Sequence, residues 1–133
     1  MNAEDTAVLA GAAFAMCEPD VSHAQLTVTV ERGAWLAALG WARDELGCSF
    51  LGFLRGADEP DADPAAIMVV AHLHTPSGRH HLLLRTLVPA ADPRLPTATG
   101  LFGGAHRHER EVHEMVGLSF TGHPHLDALP LRV

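Results

Sequence analysis

The sequence predicts an α+β domain with a mixed or antiparallel sheet of about four strands, flanked by helices and followed by a long loop, a C-terminal helix and an irregular tail. Three observations lead there. Leu26, Val28 and Val30 alternate with Thr27 and Thr29, the period-two signature of a half-buried strand. Apolar residues at helical spacing follow directly. Three strand-like runs then come in succession, which favours a layered α+β arrangement over a parallel doubly wound sheet.

Taken in order, Thr6 to Met16 reads as a short helix, ended by Pro19, which cannot continue the hydrogen-bond ladder. "QLTVTVE" is the first strand. In "RGAWLAALGWARDELG" the residues Trp35, Leu36, Leu39, Ala42 and Leu46 recur at helical spacing, and Gly47 stands where a left-handed C-cap is wanted. "CSFLGFL", Cys48 to Leu54, is a second strand, closed by the acidic, proline-broken turn from Ala57 to Pro64. "IMVVAHLHT" and "HHLLLRTLV" are joined by "PSGR", whose Pro76 and Gly78 are turn residues, so these two runs form an antiparallel hairpin. A long loop carrying Pro89, Pro93 and Pro96 precedes Gly103 and Gly104, which lead into the last helix; the tail beyond Gly117 reads as irregular. The organisation expected is one domain over 1–133, with a helix in 1–20, a strand–helix–three-strand core over 25–90, and a loop, helix and Gly-His-Pro tail over 95–125.

Composition narrows the function. The chain of 133 residues is of ordinary single-domain size. Its formal charge is −7 and its nine basic residues are scattered arginines with no lysine, which argues against nucleic acid as the main partner. Cys17 and Cys48 are far apart and form no CxxC pair, so neither a disulfide framework nor a cysteine zinc site is indicated, and a reducing, cytoplasmic compartment fits. Glu4 and Asp5 stand where a secretory signal carries Lys or Arg. The apolar run after them is shorter than the roughly 20 residues that span a bilayer, so membrane association is expected only through partners.

The stretch "HRHEREVHEMVGLSFTGHPH", His106 to His125, invites a catalytic reading. A zinc hydrolase of the HExxH kind needs histidines four apart on a helix. Here His108 and His113 are five apart, which turns the imidazoles about 140° from each other, and Val112 holds the second ligand position. The pairs His72 with His74, His106 with His108, and His123 with His125 have H-x-H spacing. His72 and His74 on a strand, with His80 or His81 across the hairpin, make the strongest metal candidate, that of a small metal-dependent enzyme. No acidic residue lies in either hairpin strand, and a polar sheet face is the simpler account. Neither a G-x-S-x-G elbow nor an activated cysteine is present, and "GLFGGAHR" offers glycines without the lysine of a phosphate loop. A free-standing ligand-binding domain is a third reading.

In the last helix Val112, Met115 and Val116 suggest one apolar face, while Arg110 and Glu114 at i,i+4 can pair on another. Glu109 and Glu111 lie in the first turns, where negative charge suits the helix dipole, and Gly117 is a natural C-cap.

The segment "LPTATGLFGGAHRHEREVHEMVGLSFTGHP", Leu95 to Pro124, resembles the signature region of the 30 kDa subunit family of respiratory complex I. That family comprises the C subunit of NADH-quinone oxidoreductase and the matching subunits of energy-converting membrane-bound hydrogenases. The pattern is carried by Glu109, Arg110, Glu111, Glu114, Met115, Val116, Gly117, Gly122, His123 and Pro124, and the likeness runs more weakly upstream to about Gln25. Arg107, Val116, His125 and Asp127 depart from the family's usual tryptophan, phenylalanine, aspartate and basic residue. The resemblance implies a non-catalytic subunit of a hydrophilic arm, with no cofactor of its own. It implies docking on a large subunit that holds the quinone or nickel-iron (NiFe) site, beside iron-sulfur subunits, on the cytoplasmic side of the membrane. Glu109, Arg110, Glu111, Glu114, His123 and Pro124 are then the expected partner-interface residues.

Overall fold

A computed structural model describes residues 18–22, 25–59, 61–62, 64–78 and 80–123. The helix expected over Thr6 to Met16 and the tail from Pro124 onward lie outside the described residues.

Strands form where the period-two pattern demands them, and the sheet is mixed as expected. It holds five strands: β1 (Glu18–Ser22), β2 (Gln25–Thr29), β3 (Phe50–Glu59), β4 (Ala66–His74) and β5 (His81–Pro89), in spatial order β1-β2-β5-β4-β3. β2 and β5 run parallel; the other neighbours are antiparallel, including the β4–β5 hairpin. β1 is an addition to the expected set, paired with β2. β3 continues to Glu59 instead of stopping at Leu54. It pairs with β4 all the way to Glu59 and Ala66, and an edge strand can carry Asp58 and Glu59 toward water.

One face of this sheet is the core. Ile67, Val69, Ala71 and Leu73 of β4 alternate inward and meet Val88, Thr86, Leu84 and Leu82 of β5 in register. A 3-10 turn, Arg32–Ala34, leads into α1 (Trp35–Asp44), which buries Trp35, Ala38, Leu39 and Ala42. That i, i+3, i+4, i+7 stripe is the one an amphipathic helix lays on a sheet. Gly47 takes φ +73 after the helix, as its predicted capping role requires.

The second helix, α2 (Ala105–Val116), packs on β3 on the same side. Its approach is close: a Cβ on Gly56 would lie 2.9 Å from Val112 Cγ1 and 3.1 Å from Val116 Cγ2. Both helices therefore cover one face, and no described element covers the other.

The expected long loop and irregular tail are more ordered than their prolines suggest. β6 (Arg94–Pro96) and β7 (Ser119–Thr121) pair in parallel, and Leu95, Leu118 and Phe120 are fully buried. The reason is the pattern Leu118-Ser119-Phe120, whose alternating apolar residues have core space under α2 to fill.

Two core substitutions test this packing. Gly56→Val forces Val112 and Val116 to give way and is expected to cost about 1–3 kcal/mol in urea denaturation. Thr86 is fully buried and its hydroxyl has no hydrogen-bond partner among the described residues, so the near-isosteric Thr86→Val is expected to raise stability by about 1 kcal/mol.

Candidate functional site

The segment with the densest chemistry folds around one buried acid. On α2 the inward stripe is Ala105, Glu109, Val112 and Val116, so a carboxylate occupies a core position of the helix. Glu109 is 0% exposed. A buried carboxylate is tolerable only where donors replace its water shell. Here the Thr97 hydroxyl donates to Oε1 at 2.5 Å and the Ala98 amide donates to Oε2 at 2.7 Å. Both donors come from the chain just after β6. Its partner strand β7 fixes them in place, since the Thr97 amide donates to the Thr121 carbonyl at 2.9 Å.

His123 completes the network. It is 1% exposed, its Nε2 donates to the His106 carbonyl at 2.9 Å, and the same nitrogen lies 3.9 Å from Glu109 Oε1. Gly122, at φ +83, makes the turn that delivers it. The far end of the helix is fastened too: Gly117 is left-handed at φ +75, and His113 Nδ1 donates to the Leu118 carbonyl at 2.9 Å. Burial raises the Glu109 pKa above its ordinary value, opposed by the Ala98 and Thr97 hydrogen bonds and by the nearby His123 and His106.

The expected interface residues thus divide. Glu109 and His123 are inside the chain and bind its own parts together; neither presents its side chain outward, because α2 turns that stripe toward the sheet. Arg110, Glu111 and Glu114 point to solvent, with Arg110 Nε 3.6 Å from Glu114 Oε1. Met115, assigned to the apolar face from the sequence, is 79% exposed and stands beside these charges. Pro124 lies outside the described residues.

The histidine metal candidate resolves differently. His72, His74 and His81 do gather on the uncovered sheet face, with the His72 ring centroid 5.6 Å from that of His74 and 5.5 Å from that of His81. They stack with phenylalanines instead of converging on a point: Phe53 on His72 at 5.1 Å and Phe50 on His74 at 5.5 Å. His80 sits exposed in the hairpin turn. Among the described residues no group of three or more His, Cys, Asp or Glu side chains is arranged to hold a metal. On α2, His113 has one ring nitrogen taken by Leu118, and His108 is half-buried five residues earlier. A shallow hollow of about 560 Å³ lined by Thr29, Glu31, Arg32, Leu87 and Pro89 lies at the other end of the molecule's strands, and its Arg32 is held by the Asp92 carbonyl at 2.8 Å.

Thr97 and Ala98 are absent from the residues expected at the site. The signal for Glu109 is present in the sequence, since it falls four after Ala105 and three before Val112, inside the core stripe. Nothing in the sequence marks Thr97 as its donor, because their meeting depends on the β6–β7 pairing.

The family pattern described as respiratory-chain NADH dehydrogenase, 30 Kd subunit, matches residues 28–132. The NADH-quinone oxidoreductase C subunit of Herpetosiphon aurantiacus is 42% identical over 106 residues, covering 78% of this chain and 61% of that protein. One of the corresponding C subunits of Rhizobium meliloti is 35% identical, over 84% of this chain and 55% of that one. The chain therefore spans between half and two thirds of the length of these curated relatives. Among solved structures, a trypsin-resistant fragment of Nqo5 superposes with a TM-score of 0.80 at 31% identity, covering 95% of this chain and all of the fragment. A chain of the archaeal membrane-bound sulfane sulfur reductase shares the fold, with a TM-score of 0.72 at 22% identity over 90% of this chain and 70% of its own.

The buried acid gives a pH test with a definite sign. A carboxyl whose folded pKa is raised binds its proton more tightly in the folded state, so its contribution is greatest below the ordinary pKa and is lost as pH rises through the folded one. Urea midpoints taken between about pH 5 and about pH 8 are expected to fall for the native chain relative to Glu109→Gln, which has no charge to bury. Glu109→Ala, which orphans the Thr97 hydroxyl and the Ala98 amide, is expected to lose at least about 2 kcal/mol throughout.

Proposed function

Because the chain belongs to the 30 kDa subunit family of the respiratory-chain NADH dehydrogenase, we propose that it is a non-catalytic assembly subunit of the hydrophilic arm of a complex I-like NADH-quinone oxidoreductase or energy-converting hydrogenase. In this reading it docks on the large subunit holding the quinone or nickel-iron site, next to iron-sulfur subunits. The iron-sulfur clusters, quinone or nickel-iron centre belong to those partners. No helix among the described residues is long and apolar enough to cross a membrane, and the proposal places the chain on the cytoplasmic side of the membrane through its partners.

The observation that carries this reading is the two-sidedness of α2. Its inner stripe is fixed by Glu109 and His123, while Arg110, Glu111, Glu114 and Met115 stand outward on a helix that cannot rotate. Rigidly placed charges around one apolar side chain set orientation and register at a protein interface better than they stabilise a lone fold. The Arg110–Glu114 pair supports that division of labour, being more than half exposed on both sides and so worth little to the isolated chain.

Arg110→Ala is therefore expected to leave the urea midpoint of the isolated chain within about 0.5 kcal/mol of the native value. The same variant is expected to reduce recovery of the assembled complex from gently solubilised membranes, since truncating one partner of a buried interface ion pair costs about 2–5 kcal/mol. Native yield and activity of the complex in that variant would remove the docking role from this helix.

A further inference from the structure

The uncovered face of the sheet is a second candidate surface, on the opposite side from α2. By register it carries Phe50, Phe53, Arg55 and Ala57 of β3, Met68, Val70, His72 and His74 of β4, and His81, Leu83, Arg85 and Leu87 of β5. Sheets bury both faces or make one polar. This one is neither covered by a described element nor consistently polar: Phe50 is 51% exposed and Leu87 is 49% exposed, at opposite ends of the patch.

Between those ends lies a preformed aromatic and cationic array. The Arg55 guanidinium carbon sits 4.4 Å above the centre of the Phe53 ring, Phe53 stacks on His72, and His72 meets His74 and the edge of His81. The array is seated by the backbone. β3 slips its register between Leu51 and Phe53, and at Gly52, in that slip, a Cβ would stand 2.5 Å from His72 Nδ1. His74 spends Nδ1 on the Thr75 carbonyl at 2.9 Å. Arg85, on the next strand, is steadied by the Thr29 hydroxyl at 3.0 Å.

The charge on this surface is opposite to that of the chain. With histidines neutral the whole sequence carries −7, yet on the same footing the β3–β5 part of the face offers the Arg55 and Arg85 guanidinium groups against the Glu59 carboxylate at the far end of the strand. Aromatic and arginine side chains held without freedom to lose are the usual anchors of binding.

We infer that the β3–β5 face, from Phe50 to Leu87, docks a carboxylate-bearing amphipathic segment of a neighbouring protein subunit. Its aliphatic or aromatic residues cover Phe50, Met68, Val70 and Leu87, and its Asp or Glu side chains meet Arg55, Arg85 and the imidazoles. The inference rests on the assembly reading for the existence of a neighbour, but it uses a different face of the chain.

The test places a photo-reactive benzophenone amino acid at Leu87 or at Phe50 in the full chain, in cells that assemble the native complex. Cross-linked peptides are then identified after gentle solubilisation. The expected result is one segment of a neighbouring subunit, rich in Asp or Glu, captured from both positions. Arg55→Glu is expected to lower its capture roughly tenfold, equivalent to about 1.4 kcal/mol, and a matching acid-to-Lys change in the captured segment is expected to restore it. Arg55→Gln, which keeps the size without the reversed charge, is expected to fall between. An intact complex with no cross-link at either position overturns the inference and leaves the assembly reading standing. So does capture of a basic or uncharged segment, of a second copy, or of this chain's own residues 1–17 or 124–133. A chain recovered with no partner at all overturns both.

Discussion

A carboxylate taken out of water must be given donors, and the arrangement of the C-terminal third follows from meeting that demand at Glu109. The Ala98 amide and the Thr97 hydroxyl reach it only because β6 is held against β7. β7 in turn exists because Leu118 and Phe120 have core to fill. His123 then returns to the first turn of α2 and holds the His106 carbonyl. Each piece is needed by the next, so what reads in sequence as a helix with loose flanks is one polar network inside an apolar core. Such a network specifies a single arrangement more than it adds net stability, since desolvating the charge offsets much of what its hydrogen bonds contribute.

One-sided packing is the second organising fact. Gly56 lets α2 lie on β3, and α1 covers the middle of the same face, so a single core cluster joins both helices to four strands and to the β6–β7 pair. The sheet's reverse side is left with stacked phenylalanines and histidines. From sequence, those histidines read as metal ligands or as a plain polar face. They are instead members of an aromatic layer, with burial and the neighbouring His81 and His74 lowering the pKa of His72.

Local chemistry was legible where local rules decide the outcome. The alternation over Leu26 to Val30, the stripe of α1, the Pro76 and Gly78 hairpin turn and the glycine after each helix all specify their elements within a few residues. What resisted reading depends on partners distant in the chain. β6 looks like loop because Pro93 precedes it and Pro96 ends it, and it becomes a strand only when Ser119 to Thr121 arrive beside it. Met115 has an apolar side chain and helical spacing from Val112, yet the helix turns it outward because Glu109, not Met115, lies in line with Val112 and Val116. Of the signature residues, the resemblance identified the set, and only the fold could sort those that hold the chain together from those that face away.

The parallel pairing of β6 with β7 also has a consequence in time. Two parallel strands cannot meet through a tight turn, and here the whole of α2 intervenes between them. During synthesis the sheet from β2 to β5 can assemble while residues 118–123 are still inside the ribosome. Thr97 then lacks its tether to the Thr121 carbonyl, and His123 has not reached the His106 carbonyl. The polar network around Glu109 closes only when this last segment pairs with β6. Completion of this polar network therefore waits on residues 118–123.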